Sequence, residues 1–248
     1  MELKELIQKR WISSAKEYGA GTRKELKRQC DKWKQYITDN KIITPGMSIL
    51  DTCCGPGFMS IVFSGDDHTT IGIDECDDML EEVQLNARLE HANVNFEKMD
   101  CHNLAFSDST FDLIVTRYSL WTLYNPGKAL KEWIRVLKPE GRLLIFDCAW
   151  NAEYHDKSIL EEKIKTRKEF GISVCEEYYG DRILAQELDA RSILGRHKRP
   201  DWDFNVLAKN KLDTDINSDI WKLLWDEEKK KAYAYIPMFM ISAKKRRK

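Results

Sequence analysis

Ser48-Ile-Leu-Asp-Thr-Cys-Cys-Gly-Pro-Gly-Phe58, followed by Gly72-Ile-Asp-Glu75, decides how the rest of this 248-residue chain is read. A short apolar strand runs into Asp51 and then into a loop of small residues. A second apolar strand ends in Asp74, seventeen positions beyond Gly57. Strand, small-residue turn, strand and acid form the plan of a nucleoside-binding α/β crevice. The glycines admit the ligand to the backbone, and the acid accepts hydrogen bonds from ribose hydroxyls. The loop lacks the G-x-G-x-x-G order of dinucleotide-binding proteins.

Outward from this stretch, strand and helix signals alternate, which argues for parallel strands joined by crossover helices. Ser48–Thr52, Thr69–Asp74, Val94–Lys98, Phe111–Thr116 and Arg142–Cys148 read as strands, short and without the alternation of a half-exposed sheet. Leu212–Ile216 and Tyr235–Ala243 complete a sheet of seven. Asp77 or Asp78 is expected to cap a helix whose buried stripe is Met79, Leu80, Val83 and Ala87. Asn125 caps another, with Pro126 at its first position. Lys138-Pro-Glu-Gly141 is expected to stop that helix and turn the chain into the fifth strand. Residues 1–44 read as a cap of two helices broken at Gly19 and Gly21. Residues 45–150 form the core, 151–200 a charged helical lid, and 201–248 the last part of the core. A short helix is expected near Asp203–Ala208.

Composition narrows the function. Hydrophobic residues make up 42% of the chain, enough for one large domain or a domain with a lid. Formal net charge is -1, which gives no long-range attraction to phosphate backbones and argues against a nucleic-acid partner. No apolar run reaches the roughly 18 residues of a membrane span. Seven cysteines without a C-x-x-C pair or a signal-peptide core point to reduced thiols in a cytoplasmic protein.

The loop resembles the first motif of class I S-adenosylmethionine-dependent methyltransferases, D-x-G-x-G-x-G, and the resemblance continues over residues 44–148. Asp100-Cys101 stands where that family carries an acid and a small residue beside adenine. Phe111-Asp-Leu-Ile-Val-Thr-Arg-Tyr118 is similar to its fourth-strand signature. Trp133-Ile-Arg-Val-Leu-Lys-Pro-Glu-Gly-Arg142 is similar to its helix–turn–strand segment. Trp121, Asn125-Pro126, Glu132-Trp133, Phe146-Asp147, Trp225-Asp-Glu-Glu and Pro237-Met-Phe resemble a subgroup of uncharacterised prokaryotic small-molecule methyltransferases. The resemblance implies a Rossmann-like α/β fold with a mostly parallel seven-stranded sheet, S-adenosylmethionine as cofactor, and methyl transfer to a small molecule. One departure stands out: Cys53 replaces the first glycine of the motif, and a side chain there is expected to take an ordinary backbone conformation.

The resemblance also assigns roles. Asp51, Cys53, Gly55 and Gly57 should line the methionine and ribose portion, with the closest approach at the two glycines. Asp74 should hold the ribose diol, since a carboxylate offers two acceptors to two adjacent hydroxyls. Glu75 and Met79 would flank adenine, with Asp100 and Cys101 at its amino edge. Arg117 would meet the methionine carboxylate or the acceptor. Tyr18, Tyr118, Trp121, Asp147 and Trp150 are candidates for the acceptor side, together with His155, Tyr178 and Tyr179. Aromatic faces suit a planar substrate or a sulfonium cation. No catalytic base is assigned, because holding acceptor and methyl group in line alone supplies ~7–11 kcal/mol of a barrier.

Three alternatives use the same fold. An RNA methyltransferase would draw on Arg23–Lys34 and the Lys244–Lys248 tail. Against it, the fourth strand ends in Thr116-Arg-Tyr-Ser119 without an Asn/Asp-Pro-Pro-aromatic box, and Cys148 lacks the proline motif of a cytosine-methylating nucleophile. A metalloid methyltransferase would need Cys30, Cys148 and Cys175 to meet near the cofactor. A non-catalytic S-adenosylmethionine-binding protein would keep the pocket without turnover. Neither Cys53-Cys54 nor Cys101-His102 has the spacing of a metal site, so none is expected.

Overall fold

A computed structural model describes residues 1–170 and 180–247. Its strands are β1 (Ser48–Thr52), β2 (Thr69–Asp74), β3 (Asn95–Lys98), β4 (Phe111–Arg117), β5 (Leu137–Asp147), β6 (Leu212–Asn217) and β7 (Phe239–Lys245). They form one sheet in the order β3-β2-β1-β4-β5-β7-β6. The first five are parallel, and β7 runs antiparallel to both β5 and β6. The order reverses at β1 and β4, which opens a crevice at the carboxyl ends of those strands. The seven expected strands are all present; β5 begins earlier because Leu137 already pairs with Phe111. Lys138–Gly141 therefore belong to the strand rather than to a separate turn.

The strands bury both faces by alternation. Ile49, Leu113, Val115, Leu144 and Phe146 pack on one side with Leu26, Cys30, Trp33 and Ile37 of α1 (Leu3–Asp39). The same side takes α2 (Phe58–Val62) and α8 (Ile220–Leu224). Leu50, Ile114, Leu143 and Ile145 face the other way, against α4 (Pro126–Val136) and Leu207 of α7 (Asp201–Lys209). Trp33, Trp133 and Trp225 are fully buried, and removing one such side chain costs ~3–5 kcal/mol.

The expected pair of N-terminal helices is a single helix of 37 residues that runs through Gly19 and Gly21. Gly19 has a packing role instead of a breaking one. A Cβ there would lie 2.0 Å from Glu82 Oε2 of α3 (Asp77–Leu89), so its absence lets the two helices cross closely. Arg23 closes the crossing through Glu82 Oε2 at 2.7 Å and Asn86 Oδ1 at 2.8 Å. At the start of α3, Cys76 occupies the cap position without a side-chain bond, and Asp77 and Asp78 lie in the first turn. There their charge still complements the helix N-terminus. Asn125 caps α4 as expected, accepting from the Lys128 N–H at 3.0 Å.

After β5 come α5 (Lys157–Phe170) and α6 (Arg182–Arg191). Asp181 caps α6 through the N–H groups of Ile183 and Leu184. The chain just before it docks on α1: Gly180 N–H donates to Glu17 Oε2 at 2.7 Å, and Asp181 N–H to Ser13 Oγ at 3.2 Å. α9 (Glu227–Tyr233), which the periodicity did not signal, packs against α5.

Candidate active site

Backbone shape comes first. Cys53 has φ 54°, against the expectation of an ordinary conformation. It thus adopts the left-handed geometry that a glycine would supply, at a cost of order 1–3 kcal/mol that surrounding structure must offset. The Cys54 N–H donation to Ile73 O at 2.8 Å holds the turn onto β2. Gly57, at φ 89°, is needed for a different reason from the expected one: a Cβ there would sit 2.1 Å from Val83 Cγ2, so its bareness seats α3. Gly55, at φ 51°, has only the Tyr18 ring near its missing side chain and does face open space.

Asp74 is held by this turn. Its Oδ2 accepts from the Gly55 N–H at 2.9 Å and its Oδ1 from the Cys76 N–H at 3.0 Å. Burial pushes its carboxyl up, while those two donors oppose the shift. Each oxygen keeps a second lone-pair direction for a ligand. Asp51 lies deeper. Burial raises it to about 7, although Ser60 Oγ donates to it at 2.6 Å.

A cavity of about 810 Å³ opens above these residues, lined by Cys53, Gly55, Asp74, Glu75, Met79 and Cys101 among others. Lys4, His102 and Tyr124 of its lining are tied together by Asp100, which stands behind them and does not itself line the cavity. Asp100 accepts from the His102 backbone N–H at 2.9 Å, from Lys4 Nζ at 3.0 Å and from Tyr124 Oη at 3.3 Å. Burial raises Asp100, but the bonds to His102 and Lys4 outweigh it and hold the carboxyl well below its usual range. His102 Nδ1 lies 2.7 Å from Asp100 Oδ1, and the His102 ring stacks on Tyr124 at 3.9 Å between centroids. His102 Nε2 is buried with no partner. The Cys53 thiol bonds to Cys101 Sγ and holds Cys101 below its ordinary value. Ligand atoms of Asp100, Cys101 and His102 lie within 4.8 Å of one another, close enough for a cation, but Asp100 and His102 already satisfy each other.

A second cavity, of about 1090 Å³, adjoins the first. Trp11, Tyr18, Arg117 and Tyr118 line both. Arg117, at the end of β4, pairs with Glu25 of α1, and Lys229 Nζ of α9 donates to the same Glu25 at 2.8 Å. Burial would raise Glu25, but Arg117 and Lys229 hold it down to about 2. The guanidinium lies 4.0 Å from the Phe58 ring centroid and 4.5 Å from that of Tyr118, so stacking fixes its plane. Its Nε is buried without a partner. Trp121 and Trp150 form further walls.

The structure therefore brings Asp74, Glu75, Met79, Cys53, Gly55, Cys101 and Arg117 to one cavity and Tyr18, Tyr118, Trp121 and Trp150 to its neighbour. Asp51 lines a small recess between Tyr18 and the loop. Asp147 is a correction. Expected on the acceptor side, it is fully buried and bonded to Arg199 Nη1 at 2.8 Å, lining neither cavity. A buried carboxylate needs its cation, and Arg199 supplied it from 52 residues away. His155 is exposed and lines neither cavity either. Tyr178, Tyr179 and Cys175 lie outside the described residues. Lys4, Trp11, Glu25, His102, Tyr124 and Lys229 were missed. Lys4, Trp11 and Glu25 lie on α1 and Lys229 on α9, where a single residue on a helical face carries no distance information, and Tyr124 lies in the turn before α4. His102 alone had a signal, its place directly after Asp100-Cys101.

Comparison with known proteins agrees with this geometry. A family described as a methyltransferase domain matches residues 43–202, and the chain belongs to that family. The fold and this membership define a methyltransferase domain built on a Rossmann-like α/β sheet. Over 120 residues it is 35% identical to the ubiquinone/menaquinone biosynthesis C-methyltransferase UbiE of Idiomarina loihiensis, covering 46% of this chain and 48% of that protein. It is 31% identical over 119 residues to the demethylmenaquinone methyltransferase of Paenarthrobacter aurescens, covering 47% and 45%. The chain thus spans about half the length of the curated relatives it matches. Among solved structures, a Methanosarcina mazei S-adenosylmethionine-dependent methyltransferase has TM-score 0.56 at 19% identity, covering 85% of this chain and 98% of that one. A Haemonchus contortus phosphoethanolamine N-methyltransferase, solved with S-adenosylhomocysteine, has TM-score 0.57 at 14% identity, covering 87% and 53%. These structural likenesses show the fold alone.

Proposed function

We propose that the first cavity binds S-adenosylmethionine and that the second presents a small-molecule acceptor to it. The observation that carries this reading is the shared wall: Trp11, Tyr18, Arg117 and Tyr118 border both spaces, so occupants of the two meet without crossing solvent. The residues present fit the cofactor. Asp74 has acceptor capacity left for a diol, and His102 Nε2 and Arg117 Nε are buried without partners. Asp74 would hold the ribose, with Glu75, Met79, Asp100, Cys101 and His102 around adenine. Asp51 and Arg117 would flank the amino-acid end, next to Cys53 and Gly55.

When bound, S-adenosylmethionine supplies an electrophilic methyl group on a sulfonium sulfur. The protein's part is positional: Tyr18 and Tyr118 flank the junction of the cavities and Trp121 and Trp150 wall off water. Aromatic side chains, Trp11, Tyr18, Tyr118, Trp121, Trp150 and Tyr233 among them, line the second cavity, which suits a small molecule. Three of the six basic residues of the Arg23–Lys34 segment are engaged within the chain: Arg23 with Glu82, Arg28 with Glu228, and Lys32 with the Trp225 carbonyl. That engagement speaks against an RNA track. Cys30 and Cys148 lie in the apolar cluster beneath the sheet, which removes support for a metalloid site. Isothermal titration with S-adenosylhomocysteine tests the reading: saturable binding is expected, and none at millimolar ligand would overturn it.

A further inference from the structure

Two cysteines meet in the first cavity. Cys53 follows β1 and Cys101 follows β3, and both line that space. Because β2 lies between those strands in the sheet, the two loops converge over its end. The partly buried Cys53 thiol donates to Cys101 Sγ. His102 Nδ1 lies 3.7 Å from the same sulfur, and Asp100 Oδ1 lies 2.7 Å from that nitrogen. Cys54 belongs elsewhere: it packs with Leu80 and Val83, whereas Cys53 packs on the cluster that contains Cys101. At φ 54° the turn asks for glycine, and a cysteine there adds only its sulfur.

The attacking form of cysteine is the thiolate. The Cys53 hydrogen bond, with help from His102, holds Cys101 below its ordinary value although burial opposes it. Burial pushes Cys30, Cys54, Cys76 and Cys148 up instead. Cys101 is therefore the nucleophile of the set, with a second thiol already in contact to resolve whatever forms on it.

We propose that Cys53 and Cys101 are an oxidation site: hydrogen peroxide converts the pair to a disulfide, which closes the first cavity to its ligand. The Cys101 thiolate attacks one peroxide oxygen, the O–O bond breaks, and the departing hydroxide takes a proton to leave as water. Cys53 sulfur then attacks the Cys101 sulfenic acid. An S–S bond forms, the S–O bond breaks, and the Cys53 proton leaves with that hydroxide as a second water. Two electrons pass from the sulfurs to the peroxide. A disulfide of ~2.05 Å is far shorter than a hydrogen-bond contact, so one loop must move to make it. Cys53 is two residues from Gly55, whose N–H holds Asp74 at 2.9 Å, and the movement falls on that carboxylate. Only the identity of the ligand rests on the methyltransferase reading.

The test treats the whole protein with hydrogen peroxide, blocks free thiols with iodoacetamide, and maps unreduced peptides by mass spectrometry. A Cys53–Cys101 crosslink lacking two hydrogens is expected, and dithiothreitol should reverse it. By isothermal titration, S-adenosylhomocysteine affinity should fall at least tenfold on oxidation and return on reduction. Saturating S-adenosylhomocysteine, added first, should slow the crosslink several-fold. Cys53→Gly suits the left-handed turn and should keep a urea midpoint at least equal to that of the wild type. Peroxide should then leave that variant's own affinity unchanged. A protein that binds S-adenosylhomocysteine but forms no Cys53–Cys101 crosslink overturns the proposal alone. So does a crosslink that leaves the affinity unaltered, or an equal loss of affinity in oxidised Cys53→Gly. Failure of the reduced protein to bind S-adenosylhomocysteine overturns the methyltransferase reading, and the proposed closure with it.

Discussion

Two buried arginines stand near the carboxyl edge of the sheet, and their surroundings differ in one respect. Arg199 is completed by protein. Its Nε and Nη2 reach Asp203 at 2.9 and 2.7 Å, and its Nη1 reaches Asp147 at 2.8 Å and the Cys148 carbonyl at 3.2 Å. Its side chain is 1% exposed. Arg117 is only partly completed, with Glu25 on Nη2 and an unpaired Nε, and it borders two cavities. The same residue type therefore does two jobs. A sealed, saturated cluster ties the segment after β5 to the sheet, whereas an unsaturated one facing open volume retains bonding capacity for a ligand.

Paired substitutions sharpen that contrast most. Arg199→Met strands two buried carboxylates and is expected to destabilise by ~3–5 kcal/mol in urea unfolding. Arg117→Met leaves Glu25 with Lys229, so its stability loss should be about half as large or less, with S-adenosylhomocysteine affinity falling at least tenfold. Equal stability losses, or an unchanged affinity in Arg117→Met, would erase the distinction.

Next in size is a pH effect at Asp51. Burial raises its folded carboxyl to about 7 from an ordinary 3.8, so the folded state retains a proton that the unfolded chain releases. The stability this contributes is fully present below pH 3.8 and is lost as pH rises through about 7. Asp51→Asn should remove that part of the slope. The difference in urea midpoint between wild type and variant is then expected to favour the variant more at pH 8 than at pH 5. A pH-independent difference would mean that Asp51 is not held protonated.

Asp74→Ala addresses the ligand side alone. It should weaken S-adenosylhomocysteine at least tenfold, ~1.4 kcal/mol or more, in isothermal titration. An unchanged constant would show that the sugar lies elsewhere. The smallest effect is expected at the helix crossing. Gly19→Ala pushes the Glu82 carboxylate aside and loosens its bond to Arg23, for ~1 kcal/mol or a melting shift of ~2–4 °C by calorimetry.

The two cavities were unequally legible for the same reason that the arginines differ. The first opens at the carboxyl ends of consecutive strands, and those ends leave local marks, Asp51 in β1, Asp74 at the end of β2 and Asp100 just after β3, although of the three only Asp74 lines the cavity itself. The second is walled by helices α1, α6 and α9 and by Trp121 and Trp150. Glu25 and Lys229 are 204 residues apart and looked like ordinary solvated charges. Their role exists only because Glu25 bridges Lys229 to Arg117. Asp147 shows the converse. A strand-end acid has the sequence appearance of a site residue, and only the arrival of Arg199 reveals a structural one. Gly19 misled because a helix-breaking propensity of ~1 kcal/mol is smaller than what close packing against α3 returns.

By itself the sequence determined the seven-strand alternation, the small-residue turn and the acids at the strand ends, because hydrophobic period and turn chemistry are properties of neighbouring residues. Tertiary structure alone decided that α1 is continuous, that Cys53 takes a left-handed backbone, that Arg117 is left half-paired, and that a second, aromatic-lined cavity opens beside the first. Those outcomes depend on which distant groups meet in a space without water, where an unmatched charge or donor is costly, and no local pattern records that meeting.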